Sequence, residues 1–400
     1  MKILHVITRL ILGGAQQNTV MSCAAQVAAG HEVHLAYGPI EGPEGSMLDA
    51  ARASGATLHE IPSMVRELAP VKDFRCYRAL RTLVQSLKPD VVHSHSSKAG
   101  VLARGAAWAE VFNKKQAAVN TQIIHTVHGL AFHDRQSKWT HRLYVRLERW
   151  AARRCHHLIA ITPEMVDAFA QQGIAPRDKF TVIASGVEVD AFAAHPEARA
   201  AVRERHGLPA DAYVVGHVGR LDTLKGHADL LDVLPLLRAQ GEEHGRDVWL
   251  FFVGDGFGRH AVENHANMAL GKTVLAGRVD LDQVPDCLAA MDVMTLPSYQ
   301  EGQSRTLVEA QLAGLPVVAY ATGGIPSVCG GGGAGRLVPT GDKDALAQAI
   351  LSLASNPAAA AQLARAGQTH ARLHFGAKRM NDALLMLYAE LLGGRHPMRA

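Results

Sequence analysis

Two carboxylates, separated by seven intervening residues, lie in one loop-and-helix stretch of this chain. Glu301 follows the apolar run 291–296, which predicts a buried strand, and Glu309 lies in the helical pattern 307–313. The next apolar run, 315–320, completes a strand–loop–helix–strand unit. Open α/β sheets bind ligands at such loops, and a helix N-terminus attracts anions through its free N–H groups and its dipole. We therefore expect a ligand site here.

The same stretch also allows a purely structural interpretation. Thr306 and Glu309 match the spacing of a capping box, in which the two side chains satisfy backbone N–H groups at the helix start. Glu301 would then be a solvated loop acid. The stretch alone does not discriminate between the two interpretations.

Two cations share another predicted loop. Arg220 and Lys225 follow the predicted strand 214–218, and diphosphate recognition requires cations near a loop or helix end. Taken in isolation, the two residues are more simply interpreted as solvated surface cations. Because the Glu301 loop is expected at the same sheet edge, we favour a shared site.

Four histidines lie near the ends of two predicted strands: His93, His95, His125 and His128. Paired histidines can bind zinc, which would indicate a metal-dependent hydrolase. Against a metal, no carboxylate lies at a fitting spacing, and we expect His93 and His95 to point to alternate sides of their strand. The chain has 22 histidines, so chance pairs are expected. We predict no metal site, and a neutral His128 that donates a hydrogen bond to a substrate hydroxyl.

The elements that must position these residues alternate along the chain. The first half has predicted strands at 2–8, 32–37, 90–94, 122–127, 157–161 and 180–184, with helices at 70–87, 99–109 and 138–155. The second half adds strands at 214–218, 248–253, 274–275, 291–296, 315–320 and 336–338, with helices at 307–313, 343–354, 358–370 and 378–392. This alternation predicts two doubly wound α/β domains, divided at a turn-rich connection near residue 190.

Composition excludes several classes of protein. Apolar residues make up 48% and charged residues 20% of the 400, as in globular proteins with sizeable cores. The five cysteines form no Cys-x-x-Cys pair, so we expect neither a disulfide framework nor a cysteine zinc site. Aromatic residues are only 5%, which disfavours nucleic acid as a partner. The early charges of residues 1–9 argue against a signal peptide, so we expect a cytoplasmic protein.

Charge is unevenly distributed. Residues 1–185 hold 22 Lys and Arg against 14 Asp and Glu, a net +8, and residues 186–400 hold 19 against 23, a net −4. The helix 138–155 places Lys138, Arg142, Arg149 and Arg153 along one side and Trp139, Leu143, Leu147 and Trp150 along another. A packed surface helix is the default interpretation, and a helix at the interface of an anionic membrane is the alternative, to which Lys114–Lys115 would add charge.

Five motifs in a fixed order identify a family. They are Gly13–Gly14, His125–Thr126–Val127–His128–Gly129, Gly219–Arg220 with Lys225–Gly226, Gly254–Asp255–Gly256, and Glu301 with Glu309. Together they resemble the retaining glycosyltransferases of family 4. That resemblance implies the GT-B fold, an α/β architecture of two Rossmann-like doubly wound domains facing across a cleft.

The resemblance also implies roles for individual residues. Residues 1–190 would bind the acceptor, residues 191–375 the nucleotide sugar, and residues 376–400 would form a helix that packs back on the first domain. The implied catalytic residues are Glu301, His128, Arg220 and Lys225. The implied donor-binding residues are Gly14, Arg220, Lys225, Gly254, Gly256, Gly302, Gln303, Ser304 and Glu309. Of these, Glu301 would contact the donor sugar, Glu309 the ribose, and the two cations the diphosphate.

The implied reaction is transfer of a sugar, with retention of configuration, from a nucleotide diphosphate sugar. UDP is favoured over GDP, and neither a cofactor nor a metal is expected. The acceptor would be a glycan or a polyprenyl-phosphate-linked sugar in polysaccharide or lipopolysaccharide synthesis, at the inner face of the plasma membrane. A sugar-nucleotide epimerase or hydrolase on the same fold remains an alternative. A non-catalytic binding protein is disfavoured, because both carboxylates and both cations are present.

Two positions depart from the family pattern. Gln303 stands where an apolar residue is common, which leaves the choice of donor open. Ala184–Ser185–Gly186–Val187–Glu188 replaces the usual Pro-Asn-Gly-Val-Asp, a change we expect to affect only the hinge.

Overall fold

The computed structural model describes residues 1–40, 45–112, 121–132, 136–193, 195–243 and 245–393. It divides into two compact units. The first comprises Met1–Gly186 and the chain from Ala377 onward, and the second comprises Val187–Gly376.

The first unit is built on a seven-stranded parallel sheet in the order β3-β2-β1-β4-β5-β6-β7. Its strands are β1 (Lys2–Arg9), β2 (Glu32–Gly38), β3 (Thr57–Glu60), β4 (Val91–His95), β5 (Gln122–Val127), β6 (His157–Ala160) and β7 (Phe180–Val182). The strand order reverses between β1 and β4, which creates a crevice at their carboxyl ends.

The second unit repeats this plan with six parallel strands in the order β10-β9-β8-β11-β12-β13. The strands are β8 (Tyr213–Val218), β9 (Val248–Val253), β10 (Thr273–Gly277), β11 (Val293–Leu296), β12 (Val317–Tyr320) and β13 (Arg336–Val338). Here the order reverses between β8 and β11, so the loops that follow these two strands flank the crevice.

Helices connect the strands and cover both faces of each sheet. They are α1 (Gly14–Ala28), α2 (Leu48–Ala53), α3 (Pro70–Leu87), α4 (Ser97–Phe112), α5 (Lys138–Ala152), α6 (Pro163–Gln171), α7 (Ala198–Arg205), α8 (His227–Glu243), α9 (Arg259–Glu263), α10 (Val284–Ala289), α11 (Arg305–Leu312), α12 (Ile325–Val328), α13 (Lys343–Ser355), α14 (Pro357–His374) and α15 (Ala377–Gly393). In the part of the chain that the structure describes, no helix has the length and apolarity to cross a membrane.

Successive side chains along the buried strands point to opposite faces of the sheet, which divides the core of the first unit into layers. Leu4 and Val6 face the layer formed with α3, α4 and α5, while Ile3 faces the opposite layer. In that opposite layer, Met380 and Leu384 of α15 pack against strands of the sheet. Residues of alternating parity face opposite sides of a strand, so a continuous apolar run can bury both faces of a parallel sheet.

The doubly wound α/β class predicted from the sequence is confirmed, and most element boundaries differ by one to three residues. The prediction missed several short helices, among them α6, which begins at Pro163, and it missed β3, in which only the two central residues are partly buried. β3 lies at the edge of its sheet, so its short segment lacks the apolar run of the central strands.

Candidate active site

The loop after β8 carries Arg220 and Lys225 and packs against the loop after β11. It includes a short 3-10 turn, Thr223–Lys225, that is capped by the Asp222 carboxylate accepting from the Leu224 N–H at 3.0 Å. Gly226 follows with φ +72°, and a Cβ there would lie 1.9 Å from the Pro297 carbonyl oxygen. Only glycine combines this conformation with so close an approach. Gly226 therefore allows the two loops to pack together at the point where the strand order reverses.

Backbone and side-chain hydrogen bonds hold the loop after β11 in place. The Tyr299 N–H donates to the Leu224 carbonyl at 2.8 Å, and the Tyr299 hydroxyl donates to the Asp229 carboxylate at 2.7 Å. On the other side, the Gly324 N–H donates to the Gly302 carbonyl at 3.0 Å. Glu301 therefore lies in a loop that is anchored on both sides.

Lys225 and Glu301 form an ion pair across the two loops. The Lys225 Nζ lies 2.5 Å from the Glu301 Oε1, with side-chain exposures of 24% and 10%. The structure thus brings these two predicted catalytic residues into direct contact. The interpretation of Glu301 as a solvated loop acid is wrong, because nine-tenths of its side chain is shielded.

Arg220 lies on the open side of the same loop. Its side chain is 53% exposed, and its nearest carboxylate is Asp222, at 3.9 Å. A Cβ on Gly256 would lie 2.8 Å from the Arg220 Cγ, and a Cβ on Gly254 would lie 2.0 Å from the Gly219 carbonyl oxygen. The glycines predicted to bind the donor therefore let the loop after β9 lie directly against the loop that carries Arg220.

The N-terminus of α11 differs from the capping-box alternative. The helix begins at Arg305, and the N-cap is Ser304, whose hydroxyl accepts from the Leu307 N–H at 3.4 Å. Thr306 is thus the second helical residue rather than the cap, and Glu309 lies beyond the first turn. The capping box is wrong because Ser304, two residues before Thr306, caps the helix instead.

Glu309 is instead buried beside a cation. It is 8% exposed, and the Arg305 Nε lies 3.6 Å from its Oε1. Burial raises the pKa of the Glu309 carboxyl, and the Arg305 charge opposes that rise. A buried carboxylate that is not fully neutralised is suited to accept hydrogen bonds from hydroxyl groups of a ligand.

Gln303 and Ser304 complete the predicted donor-binding set in this unit, and both are buried, at 7% and 4% exposure. Nine of the eleven predicted site residues therefore lie on loops or a helix at the carboxyl ends of β8, β9 and β11. The other two, Gly14 and His128, belong to the first unit. Gly14 is the exposed first residue of α1, and His128 is half-buried directly after β5.

His128 is the outer member of a chain of buried side chains. Its Nε2 lies 3.0 Å from the His95 Nδ1, the His95 Nε2 lies 2.9 Å from the His5 Nδ1, and the His5 Nε2 lies 2.8 Å from the Gln26 Oε1. Burial lowers the pKa of His5 to about 4 and that of His95 well below its usual range. Both histidines are therefore neutral at neutral pH.

The expectation that His93 and His95 point to alternate sides is wrong. Both lie on β4, and their ring centroids are 4.2 Å apart. Residues two apart in a strand project from the same face, so the pairing follows from strand geometry.

His5, His93 and His95 have ligand atoms within 4.8 Å of one another, which is close enough for a metal site. Each ring nitrogen is already engaged, however, because His93 contacts the Tyr388 hydroxyl at 2.5 Å and the Thr126 hydroxyl at 2.7 Å. A metal would have to replace the contact between His5 and His95. We therefore interpret the cluster as a hydrogen-bonded network, and the absence of a metal site stays a prediction.

The basic helix α5 packs through a different face from the one expected. It buries Val145, Glu148, Ala151 and Ala152, while Trp139 is 74% and Trp150 41% exposed. An open pocket of about 390 Å³ lies along it, lined by Trp108, Arg146, Arg149, Trp150, Arg153 and Arg154.

Arg149 has a structural role at this pocket, since it donates to the carbonyls of Gln172 and Gly173. Arg146 and Arg154, which the sequence analysis did not single out, line the pocket with it. The predicted helix end at residue 155 is too late, because α5 ends at Ala152. Lys114–Lys115 lies outside the described residues.

Sequence reasoning missed His5, Gln26, Tyr388, Asp229 and Arg305. His5 and His95 are 90 positions apart, and only the adjacency of β1 and β4 brings them together. Arg305 was detectable, because an arginine four residues before a glutamate in a helix lies on the same side.

Comparison with known proteins assigns the family. A model of the glycosyl transferase 4-like domain matches residues 13–186, and a model of glycosyl transferases group 1 matches residues 212–356. The 2-deoxystreptamine glucosyltransferase of Streptomyces kanamyceticus is 30% identical over 256 residues, which is 63% of this chain and 65% of that protein. The UDP-Gal:alpha-D-GlcNAc-diphosphoundecaprenol alpha-1,3-galactosyltransferase of Escherichia coli is 30% identical over 268 residues, 64% of each protein. The matched part therefore spans slightly less than two-thirds of each relative.

Solved structures share the fold over nearly the whole chain. The structure of Anabaena HepE in complex with UDP has a TM-score of 0.79 at 22% identity and covers 98% of this chain and 100% of that one. Sucrose-phosphate synthase from Thermosynechococcus elongatus has a TM-score of 0.81 at 21% identity, with 98% and 99% covered. With both units matched by family models and by these structures, the chain belongs to the glycosyltransferases of family 4, with the two Rossmann-like domains of the GT-B fold.

Proposed function

We propose that this chain transfers a sugar from a uridine diphosphate sugar to a lipid-linked glycan acceptor, with retention of configuration and without a metal. The observation that carries the proposal is the Lys225–Glu301 ion pair beside the exposed Arg220, at the reversal point of the second sheet. Two cations and one shielded carboxylate suit a substrate that joins a diphosphate to a polyhydroxylated ring.

The leaving group is the diphosphate, and its charge grows as the bond to the sugar breaks. Arg220 and Lys225 would stabilise that charge from fixed positions, which is electrostatic catalysis that requires no metal ion. Because Glu301 already pairs with Lys225, it is better suited to accept hydrogen bonds from sugar hydroxyls than to act as a nucleophile. In this mechanism the departing phosphate takes the proton of the acceptor on the same face of the sugar.

UDP is proposed over GDP as the nucleotide, in part because the HepE structures contain UDP and UDP-glucose. Thermal unfolding with UDP, GDP and ADP tests the choice, since a ligand that binds only the native state raises the unfolding temperature. UDP should give the largest increase after extensive treatment with EDTA. A larger increase with GDP, or a response to UDP that returns only with added metal, would contradict the proposal.

A lipid-linked acceptor is favoured by the chemistry of the pocket along α5. Four arginines and two exposed or half-buried tryptophans line it, a combination suited to an anionic headgroup at a membrane surface. The Escherichia coli relative is named for a diphosphoundecaprenol acceptor. We therefore propose a peripheral position at the inner face of the plasma membrane and a role in cell-surface polysaccharide or lipopolysaccharide synthesis.

Flotation with vesicles tests the membrane contact. The protein should bind phosphatidylglycerol vesicles at low salt, ignore phosphatidylcholine vesicles, and dissociate at high salt. The double variant Arg146→Gln, Arg153→Gln should lose binding, whereas Arg365→Gln, Arg372→Gln on α14 removes the same charge elsewhere and should retain it. Both variants should bind UDP as the wild type does. Equal flotation by the two variants would exclude the pocket as the contact.

A transfer assay tests the reaction itself. Labelled UDP-glucose, UDP-galactose and UDP-N-acetylglucosamine are each offered with diphosphoundecaprenol-linked N-acetylglucosamine, and in parallel with 2-deoxystreptamine as a soluble acceptor. The anomeric coupling constant of the product gives the configuration, which should match that of the donor. Product from donor alone at the same rate would favour the epimerase or hydrolase alternative.

A further inference from the structure

A buried carboxylate lies one helical turn beyond Lys225. Asp229 is in the first turn of α8 and is 5% exposed. Lys343 lies 3.8 Å from its Oδ1 atom but pairs more closely with Asp232, at 2.5 Å. A buried charge costs free energy unless polar groups compensate it, and the positive end of the α8 dipole compensates it only in part. The hydrogen bonds to the other oxygen of Asp229 are therefore important.

Two tyrosine hydroxyls converge on that other oxygen. The Tyr299 and Tyr320 hydroxyls each lie 2.7 Å from the Asp229 Oδ2. A carboxylate oxygen can only accept hydrogen bonds, so both hydroxyls must donate. Burial raises the pKa of Tyr320, and its hydrogen bond to Asp229 raises that pKa further, which keeps the donor protonated. The Oδ2 atom thereby uses both of its lone pairs on the two tyrosines.

The two tyrosines belong to different parts of the second unit. Tyr320 is the last residue of β12 and is fully buried. Tyr299 is partly buried in the loop after β11 and lies two residues before Glu301. Of the two, only Tyr299 therefore connects the Asp229 carboxylate to the loop that carries Glu301.

Tyr299 ties this loop to the start of α8 at two points. Its backbone N–H donates to the Leu224 carbonyl at 2.8 Å, and its hydroxyl donates to Asp229. Leu224 directly precedes Lys225, and Asp229 follows it by four residues. The two contacts bracket Lys225 along the chain, so they fix the loop that carries Glu301 relative to that lysine.

We propose that Asp229 is a positioning residue that, through the Tyr299 hydroxyl, holds the Glu301 carboxylate where it meets the donor sugar. This rests on the proposed function, in which Glu301 accepts hydrogen bonds from sugar hydroxyls. A site that hydrogen-bonds hydroxyls discriminates strongly only when its groups are held in fixed positions. Asp229 therefore controls discrimination between UDP-glucose and UDP-galactose, which differ in the orientation of one hydroxyl. UDP lacks the sugar, so its binding does not depend on this contact.

Amide hydrogen exchange of the full-length protein without any ligand tests the effect on the loop. Tyr299→Phe removes the hydroxyl that joins the loop to Asp229. Tyr320→Phe is the matched control, because it removes the other hydroxyl from the same Oδ2 atom and leaves the loop contact in place. Residues 297–304 should exchange about tenfold faster in Tyr299→Phe, which loses a hydrogen bond to a charged acceptor, and within about twofold of the wild-type rate in Tyr320→Phe.

Titration calorimetry and transfer kinetics with the two donors test the effect on sugar recognition. Tyr299→Phe should lose most of the preference between UDP-glucose and UDP-galactose, with kcat about tenfold lower and the Kd for UDP unchanged. Asp229→Asn keeps the shape of the side chain and removes its charge, and it should change the same quantities in the same direction. Tyr320→Phe should retain the wild-type preference and kcat.

Three results would overturn the assignment. One is wild-type exchange of residues 297–304 in folded Tyr299→Phe. Another is an equal effect of Tyr320→Phe, which would indicate a general loss of packing. The third is a parallel loss of UDP and UDP-sugar binding in Tyr299→Phe, which would place the effect at the nucleotide. A wild-type protein that binds no uridine nucleotide would instead contradict the proposed function, and the exchange rates would still decide whether Asp229 holds the loop.

Discussion

Replacing Lys225 by methionine should weaken the binding of UDP by about a hundredfold. The change keeps the length and apolar stem of the side chain and removes only its charge. In the wild type, the Lys225 Nζ pairs with Glu301 at 2.5 Å, with a quarter of its side chain exposed, at the loop that we propose receives the diphosphate.

The magnitude follows from two effects. A hydrogen bond to a charged group contributes about 1.5–3 kcal/mol, which is about 10- to 150-fold in Kd. In addition, Glu301 is 10% exposed and would lose its partner, so its negative charge would repel the incoming diphosphate. The double variant Lys225→Met, Glu301→Gln removes that repulsion and should recover part of the loss.

Isothermal titration with UDP in the presence of EDTA measures the effect. Lys272→Met is the matched control, because Lys272 is 23% exposed and pairs with Asp247 at 2.8 Å but precedes β10, at the opposite end of the same sheet. The control should bind UDP with wild-type affinity. If folded Lys225→Met also binds UDP with wild-type affinity, Lys225 does not contact the diphosphate.

Three further predictions concern buried ionisable side chains. Glu309→Gln should weaken UDP binding about tenfold by titration calorimetry, whereas the same change at Glu301, which we propose faces the sugar, should leave it no weaker than in the wild type. Glu148→Ala leaves the fully buried Arg104 without its partner at 2.9 Å and should lower the free energy of unfolding by about 3–5 kcal/mol in urea titrations; a loss below 1 kcal/mol would contradict this. The pKa of His5 is about 4 in the folded protein, so the stability due to neutral His5 is complete above pH 6.5 and is lost as the pH falls toward 4, by about 1.4 kcal/mol per pH unit. Urea midpoints that stay constant from pH 7.5 to pH 4.5 would refute it.

The sequence was sufficient to predict the elements that carry the second-unit site. The apolar runs before Arg220 and Glu301 are long and bounded by glycine or proline, so both strands were identified, and the rule for parallel sheets placed both loops at one edge. The ion pair between Lys225 and Glu301 was not predictable, because it depends on Gly226 lying against the Pro297 carbonyl.

The sequence was insufficient for the histidine network of the first unit. Its members come from β1, β4 and α1 and from the residue after β5, and no spacing along the chain relates them. The sequence analysis considered four histidines and missed both His5 and Gln26, the two residues at the buried end of the network. Long-range strand order decides such sites, and local patterns contain little information about it.

We propose that uridine diphosphate binds, without a metal, at the loops after β8 and β11. A crystal structure of the EDTA-treated protein with UDP tests it most directly. The diphosphate should lie within hydrogen-bond distance of Arg220 and Lys225, with a ribose hydroxyl on Glu309 and no ion bridging the phosphates. A diphosphate away from both cations, or one held by a metal ion that resists EDTA, would contradict it.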